Sequence, residues 1–228
     1  MSSWSNRFVS VSALALLAAC QSAPPRASSP AVAAAPAAAP AAASAPANPP
    51  AVAVPAADTA PIPEPANEQY ERALLLMKSS RNAEAEVEFK QLVAAYPQLS
   101  GPQLNLGLLY LHDSRLPEAE SAFKAALEHN PNNAVAGNEL GIVERRLGKF
   151  AEAESAYQHS IAAEPNYAPA HLNLGVLYDM YLAQPQKALD EFDRYIEIAG
   201  ENKQVAGWVI ELRKRVGAPA PALKKDPA

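Results

Sequence analysis

The chain has 228 residues, with 22 prolines, one cysteine and a formal net charge of −5. A lone cysteine excludes an internal disulfide. So mild a charge gives no electrostatic reason to expect nucleic acid, which favours a concentrated basic face. The composition is uneven: twelve of the 22 prolines lie between Pro24 and Pro65, in a segment otherwise mostly alanine. From about Ala66 the chain is rich in leucine, alanine and glutamate, as helices prefer.

Residues 1–19 read as an export signal. Arg7 is the only charged side chain before an apolar or small run from Phe8 to Ala19. About a dozen apolar residues cannot span a bilayer as a mature helix, which needs roughly 20, but they suit the h-region of a cleaved signal. The run closes in Leu17-Ala18-Ala19-Cys20, which resembles the lipobox of bacterial lipoproteins. The resemblance implies that Cys20 is lipidated and becomes the mature N-terminus. With Gln21 following it, and not aspartate, it also implies the outer membrane, with the chain facing the periplasm. Several acyl chains on one residue anchor firmly where a single chain binds marginally.

Segment 20–65, beyond the cysteine, has no periodic apolar face to bury. Its frequent prolines remove helix donors and bias their neighbours toward extended backbone. It is expected to be a disordered Ala/Pro-rich spacer, reaching at most about 3.1 Å per residue, or roughly 140 Å.

One pattern then recurs every 34 residues. Leu106-Gly107 is answered by Leu140-Gly141, Ala119 by Ala153, Phe123 by Tyr157 and Pro131 by Pro165. The frame extends back to Ala73, Ala85, Phe89 and Pro97. It extends forward to Leu174-Gly175, Ala188 and Phe192, with one residue inserted near 181–185. A period in this range signals a repeat architecture. Four units follow, at 66–99, 100–133, 134–167 and 168–202, each predicted as two helices of about 14 residues. The glycines and the alanines of each pair are expected to face one another where the helices cross closely. The aromatic side chains are expected to fill the space toward the next unit, and each proline to end a second helix. Arg72-Ala73 replaces Leu-Gly in the first unit, and terminal repeats are often atypical.

These anchors resemble the tetratricopeptide repeat family, nearly completely at 100–133 and 134–167 and partially in the flanking units. The resemblance implies an all-α, right-handed superhelix. Residues 203–217 read as a capping helix, with Val205, Trp208, Val209, Leu212 and Val216 at helical spacing, and 218–228 as a flexible tail. Trp208 covers the open end of the stack or binds a partner. Segment 203–228 carries six basic and two acidic residues.

Nothing in the sequence points to catalysis. His112, His129, His159 and His171 form no i,i+4 pair, and the repeats contain no cysteine, so no metal signature and no cofactor is expected. His112, His129 and His159 are expected on solvent-facing surfaces. No phosphate loop or nucleophile elbow occurs. Glutamates 84, 86, 88, 118, 120, 152 and 154 are expected at helix starts, where a carboxylate meets the positive end of the dipole.

A binding surface is what remains. The family resemblance implies that the first helix of each unit lines a concave groove. Its candidate residues here are Tyr70, Leu74, Met77, Leu104, Asn105, Leu108, His112, Asn138, Glu139, Ile142, Arg145, Leu172, Asn173, Val176 and Asp179. Asn105 and Asn173 occupy the place of a peptide-gripping ladder in the O-linked sugar transferase relatives, which Glu139 interrupts. Asparagine can donate and accept, so the ladder either grips a peptide backbone or bonds helix to helix. The chaperone-type carboxylate clamp needs basic residues where this chain has Tyr70, Val135 and Glu139. The expectation is a non-enzymatic, lipid-anchored adaptor that holds a protein or peptide partner. The alternatives are a pilotin-like assembly factor for a pilus or secretion machine, or an accessory of a TonB-type system. The last rests on residues 166–175 and Val205-Ala206-Gly207-Trp208, which resemble repeat proteins of such systems.

Overall fold

The computed structural model describes residues 62–217, and these form nine helices. They are α1 (Glu64–Lys78), α2 (Asn82–Ala95), α3 (Ser100–His112), α4 (Leu116–His129), α5 (Ala134–Arg146), α6 (Phe150–Ala163), α7 (Ala168–Met180), α8 (Pro185–Ala199) and α9 (Lys203–Val216). The signal segment, Cys20, nearly all of the spacer and the 218–228 tail lie outside the described residues. Helix α1 begins inside the segment read as spacer, because Pro65 sits in the first turn, where its missing N–H costs nothing.

The helices pair as the period dictates, α1 with α2 through α7 with α8, and each pair packs on the next. Helix α3 also touches α5, and α5 touches α7. The first helices therefore form the inner, concave layer and the second helices the outer one.

One contact closes each of units two to four. A Cβ added at Gly107 would stand 2.5 Å from the Phe123 ring, and one at Gly141 or Gly175 2.6 Å from Tyr157 or Phe192. This corrects the sequence expectation for the aromatic side chains: each ring fills space within its own unit, over the glycine of the first helix. The ring needs a site without a side chain, which accounts for a glycine in mid-helix despite its cost of about 1 kcal/mol against alanine.

The first unit differs because no described helix precedes it. Glu68 and Arg72 are exposed at the places where Pro102 and Leu106, Ala136 and Leu140, and Ala170 and Leu174 are buried. Leu75 is 65% exposed at the place where Leu109, Val143 and Leu177 are buried. Arg72 in place of leucine is thus a solvated outer face. At the far end, Val205, Val209 and Leu212 of α9 are buried in the register of Ala170, Leu174 and Leu177. Helix α9 therefore packs in the place of a first helix on the open side of the fourth unit. No second helix follows it among the described residues, and Ile210, in the register of Gly175, is 57% exposed.

The extra residue of the fourth unit lies in the 181–184 turn. The backbone N–H groups of Arg81, Arg115 and Lys149 reach the carbonyl five residues back, whereas that of Gln184 reaches six, to Tyr178.

Of the glutamates assigned to helix starts, Glu84, Glu118 and Glu152 do occupy first turns. Glu86 and Glu120 instead join units. Glu86 bonds Lys90 and reaches Arg115 of the next unit at 3.0 Å. Glu120 bonds Lys124 at 2.6 Å and Lys149 of the next unit at 2.7 Å. Lys124 and then Lys149 hold the Glu120 carboxyl below the usual range. Arg213 donates twice to Asp193 at 2.7 Å, and Arg215 pairs with Asp179. Part of the basic character of the C-terminal segment is thus spent fastening α9 to the fourth unit.

Candidate binding face

The concave layer carries one register position per unit, occupied by Glu71, Asn105, Glu139, Asn173 and, after the inserted residue, Trp208. Its two halves are built differently. In the first half Asn105 Nδ2 donates to the Tyr70 hydroxyl at 2.7 Å and to the Gly101 carbonyl at 2.9 Å. Leu104 is buried, while Leu74, Met77 and Leu108 are half-buried against the core. His112 is exposed at the end of α3, beside Asp113. In the second half Asn173 Nδ2 donates to Asn138 Oδ1 at 2.9 Å, and Asn138 Nδ2 donates to Glu139 Oε1 at 3.0 Å.

The three asparagines are buried, and their amide N–H groups serve helix-to-helix and intrahelical bonds. Of the two sequence expectations, the structure shows the internal one. Leu172 and Val176 are also buried, which leaves Tyr70, Leu74, Met77, Leu108, Glu139, Ile142, Arg145 and Asp179 partly exposed and His112 exposed.

Two of these carry charge in a costly setting. Burial pushes the Glu139 carboxyl up to about 7, against the opposing bond from Asn138. Arg145 is half-buried, with Nε 3.4 Å from the Tyr157 hydroxyl and Nη1 3.4 Å from that of Tyr181. Its guanidinium carbon lies 5.6 Å from the centre of the Tyr181 ring. Tyr157 is itself buried and, mainly for that reason, its hydroxyl is pushed up to about 12.

Beside them, between α7, α8 and α9, is a pocket of about 220 Å³ lined by Val176, Asp179, Met180, Phe192 and Trp208. Trp208 packs on Phe192 with ring centres 5.5 Å apart, yet it stays half-exposed. Of the two sequence readings of Trp208, the capping contact is present, and the same ring also walls the pocket. Tyr157, Tyr181, Met180 and Phe192 were not among the sequence candidates. The 35-residue step from Asn173 to Trp208 is the signal that places α9 in the concave row.

The histidines do not form a site. His112, His129 and His159 are exposed. His171 is buried, with Nδ1 2.7 Å from Glu191 and Nε2 3.1 Å from the Pro165 carbonyl, and it clasps α7 to α8. Among the described residues no group of His, Cys, Asp or Glu could hold a metal ion. No described helix is long and apolar enough to cross a membrane.

A stack of helix pairs with a continuous inner face, some of its polar groups incompletely paired, defines a helical-repeat protein of the kind that serves protein–protein interaction. A family profile described as tetratricopeptide repeat matches residues 70–134 and 138–203. The chain belongs to the tetratricopeptide repeat family. Among solved structures it is similar to the MamA protein, at 20% identity and TM-score 0.61, over 67% of this chain and 82% of that one. It is also similar to PilF of Pseudomonas aeruginosa, at 16% identity and TM-score 0.59, over 67% and 69%. A third is the first repeat domain of Spaghetti (RPAP3) bound to an HSP90 peptide, at 21% identity and TM-score 0.50, over 53% and 95%. These likenesses are to the fold. No curated protein sequence matches significantly.

Proposed function

We propose that the chain is a non-enzymatic adaptor whose concave face holds a segment of a partner protein, and that lipid on Cys20 keeps this face at the outer membrane, turned to the periplasm. The observation that carries the binding role is the second half of the concave face. There Arg145 stands half-buried with no carboxylate within 4.0 Å and its two hydroxyl partners at 3.4 Å, and Trp208 walls a partly open pocket. The anchor rests on the apolar run ending in Leu17-Ala18-Ala19-Cys20.

Two experiments test the two halves of the proposal. Cross-linking in cells followed by mass spectrometry would identify partners of the wild type, of Leu108→Glu and Ile142→Glu on the inner face, and of Val87→Glu on the outer one. The inner-face charges are expected to lose the partner and the outer one to keep it; equal recovery with all four overturns the concave-face reading. Labelled palmitate is expected on the wild type and absent from Cys20→Ser. Label that persists in the variant removes the lipid anchor.

A further inference from the structure

We infer that the second half of the concave face takes an extended segment of a partner that carries an acidic side chain and, a few residues away, a large apolar one. The carboxylate seats on Arg145, and the apolar group enters the pocket against Trp208. This rests on the reading of the concave face as the binding face and adds the chemistry of what it binds.

Arg145 is the first ground. A guanidinium is charged at every accessible pH and offers five N–H donors in a fixed fork. Here it has two neutral oxygen partners, both at 3.4 Å, which is beyond the usual range for N–H···O. Of the arginines among the described residues, only Arg145 and Arg146 have no carboxylate within 4.0 Å. Arg146 is exposed to solvent and needs none. Glu139, on the same helix, is bonded to Asn138 instead. A half-covered cation without a counter-ion is complementary to a carboxylate arriving from outside, which an arginine fork can hold through two parallel bonds.

The pocket is the second ground. Val176, Met180, Phe192 and Trp208 give it apolar walls, and its one charged lining group, Asp179, is already engaged by Arg215. Met180 is 39% exposed, and an unbranched, polarizable side chain adapts to varied apolar guests. A half-exposed tryptophan offers a large rigid surface at little entropy cost. The two anchors are neighbours: the Tyr181 ring lies beside Arg145, and Met180, next to it in the chain, lines the pocket. They belong to successive units, so with helices packed about 8–10 Å apart an extended strand would span them in roughly two to four residues.

The chain has two tryptophans, Trp4 and Trp208, so the full chain carrying Trp4→Phe reports the pocket by emission alone. The probes are ten-residue peptides with amidated C-termini, bearing Glu and Phe two, three or four residues apart, with Glu→Gln, Glu→Lys and Phe→Ser counterparts. At least one Glu/Phe spacing is expected to bind and shift the Trp208 emission. Replacing either residue is expected to weaken binding at least tenfold. Arg145→Gln is expected to erase the preference for Glu over Gln. Arg145→Lys, which keeps the charge without the fork, gives an intermediate preference and carries the test if Arg145→Gln does not fold. Equal binding of the Glu and Gln peptides to the wild type, a preference for the Lys peptide, or binding that leaves Trp208 emission unmoved overturns the inference. In those cases the cross-linking result still stands or falls separately, because it asks only whether the inner face is used.

Discussion

The two halves of the concave layer share one backbone and differ in how their polar groups are served. Around α1 and α3 the inner face is made of leucine, methionine and a tyrosine, and the Asn105 amide N–H bonds stay within the protein. Around α5, α7 and α9 the same layer holds a carboxyl pushed up to about 7, a guanidinium with distant partners and a partly exposed tryptophan. Since the ring-on-glycine contact is the same in both halves, the fold does not require the difference. It teaches that the framework of a repeat protein and its inner face answer to separate constraints.

The largest effects should be common to both halves. Phe123→Ala and Tyr157→Ala each remove a fully buried ring and should each cost about 3–5 kcal/mol, measured by urea denaturation. A much smaller loss in one half would mean that its framework is not the same.

A sharper separation comes from pH. The Glu139 carboxyl lies at about 7 when folded, against 4.5 for an ordinary glutamate, so the folded state holds the extra proton between these values. Stability therefore falls as pH rises from about 4.5 to 7. Glu139→Gln should raise stability at pH 8 by up to about 3 kcal/mol and leave it unchanged at pH 4. Glu120 works in the opposite sense. Its carboxyl is held below 4.5 by Lys124 and then Lys149, so the stability it adds is present above about pH 4.5 and lost as pH falls through its folded value. Unfolding curves of wild type, Glu139→Gln and Glu120→Gln across pH 3–9 would show the two signs.

Asn138→Ala comes next. It leaves a buried donor of Asn173 unpaired, at a cost of about 1–3 kcal/mol. Asn105→Ala should cost less, because Asn105 Oδ1 has no partner to lose. A thermal-melt comparison of the pair would reverse the ranking if the first half were the more strained. The smallest effect belongs to the open end of the stack, where Ile210→Ser should change stability by no more than about 0.5 kcal/mol. A larger loss would mean that something covers the exposed face of α9.

The 34-residue period made the units, their pairs of helices of about 14 residues and the extra turn residue legible. Those follow from local rules: proline stops a helix, and small and large residues alternate at helical spacing. The period could not tell which neighbour each aromatic ring would meet. That depends on the crossing of two helices, and the rings turned inward onto Gly107, Gly141 and Gly175. The family resemblance implied that Glu139, Arg145 and the asparagines are inner-face residues, but not which of them had found partners inside the protein.

The sequence by itself determined the repeat, its four paired units and the family, because each anchor residue has one physical role that recurs at fixed spacing. Only the tertiary structure decided that the asparagine amide N–H groups are spent within the protein, that α9 takes the place of a first helix and brings Trp208 to the pocket, and that Arg145 stands without a counter-ion. Those outcomes depend on contacts between residues 12 to 36 positions apart, and a pattern of residue types does not specify such distances.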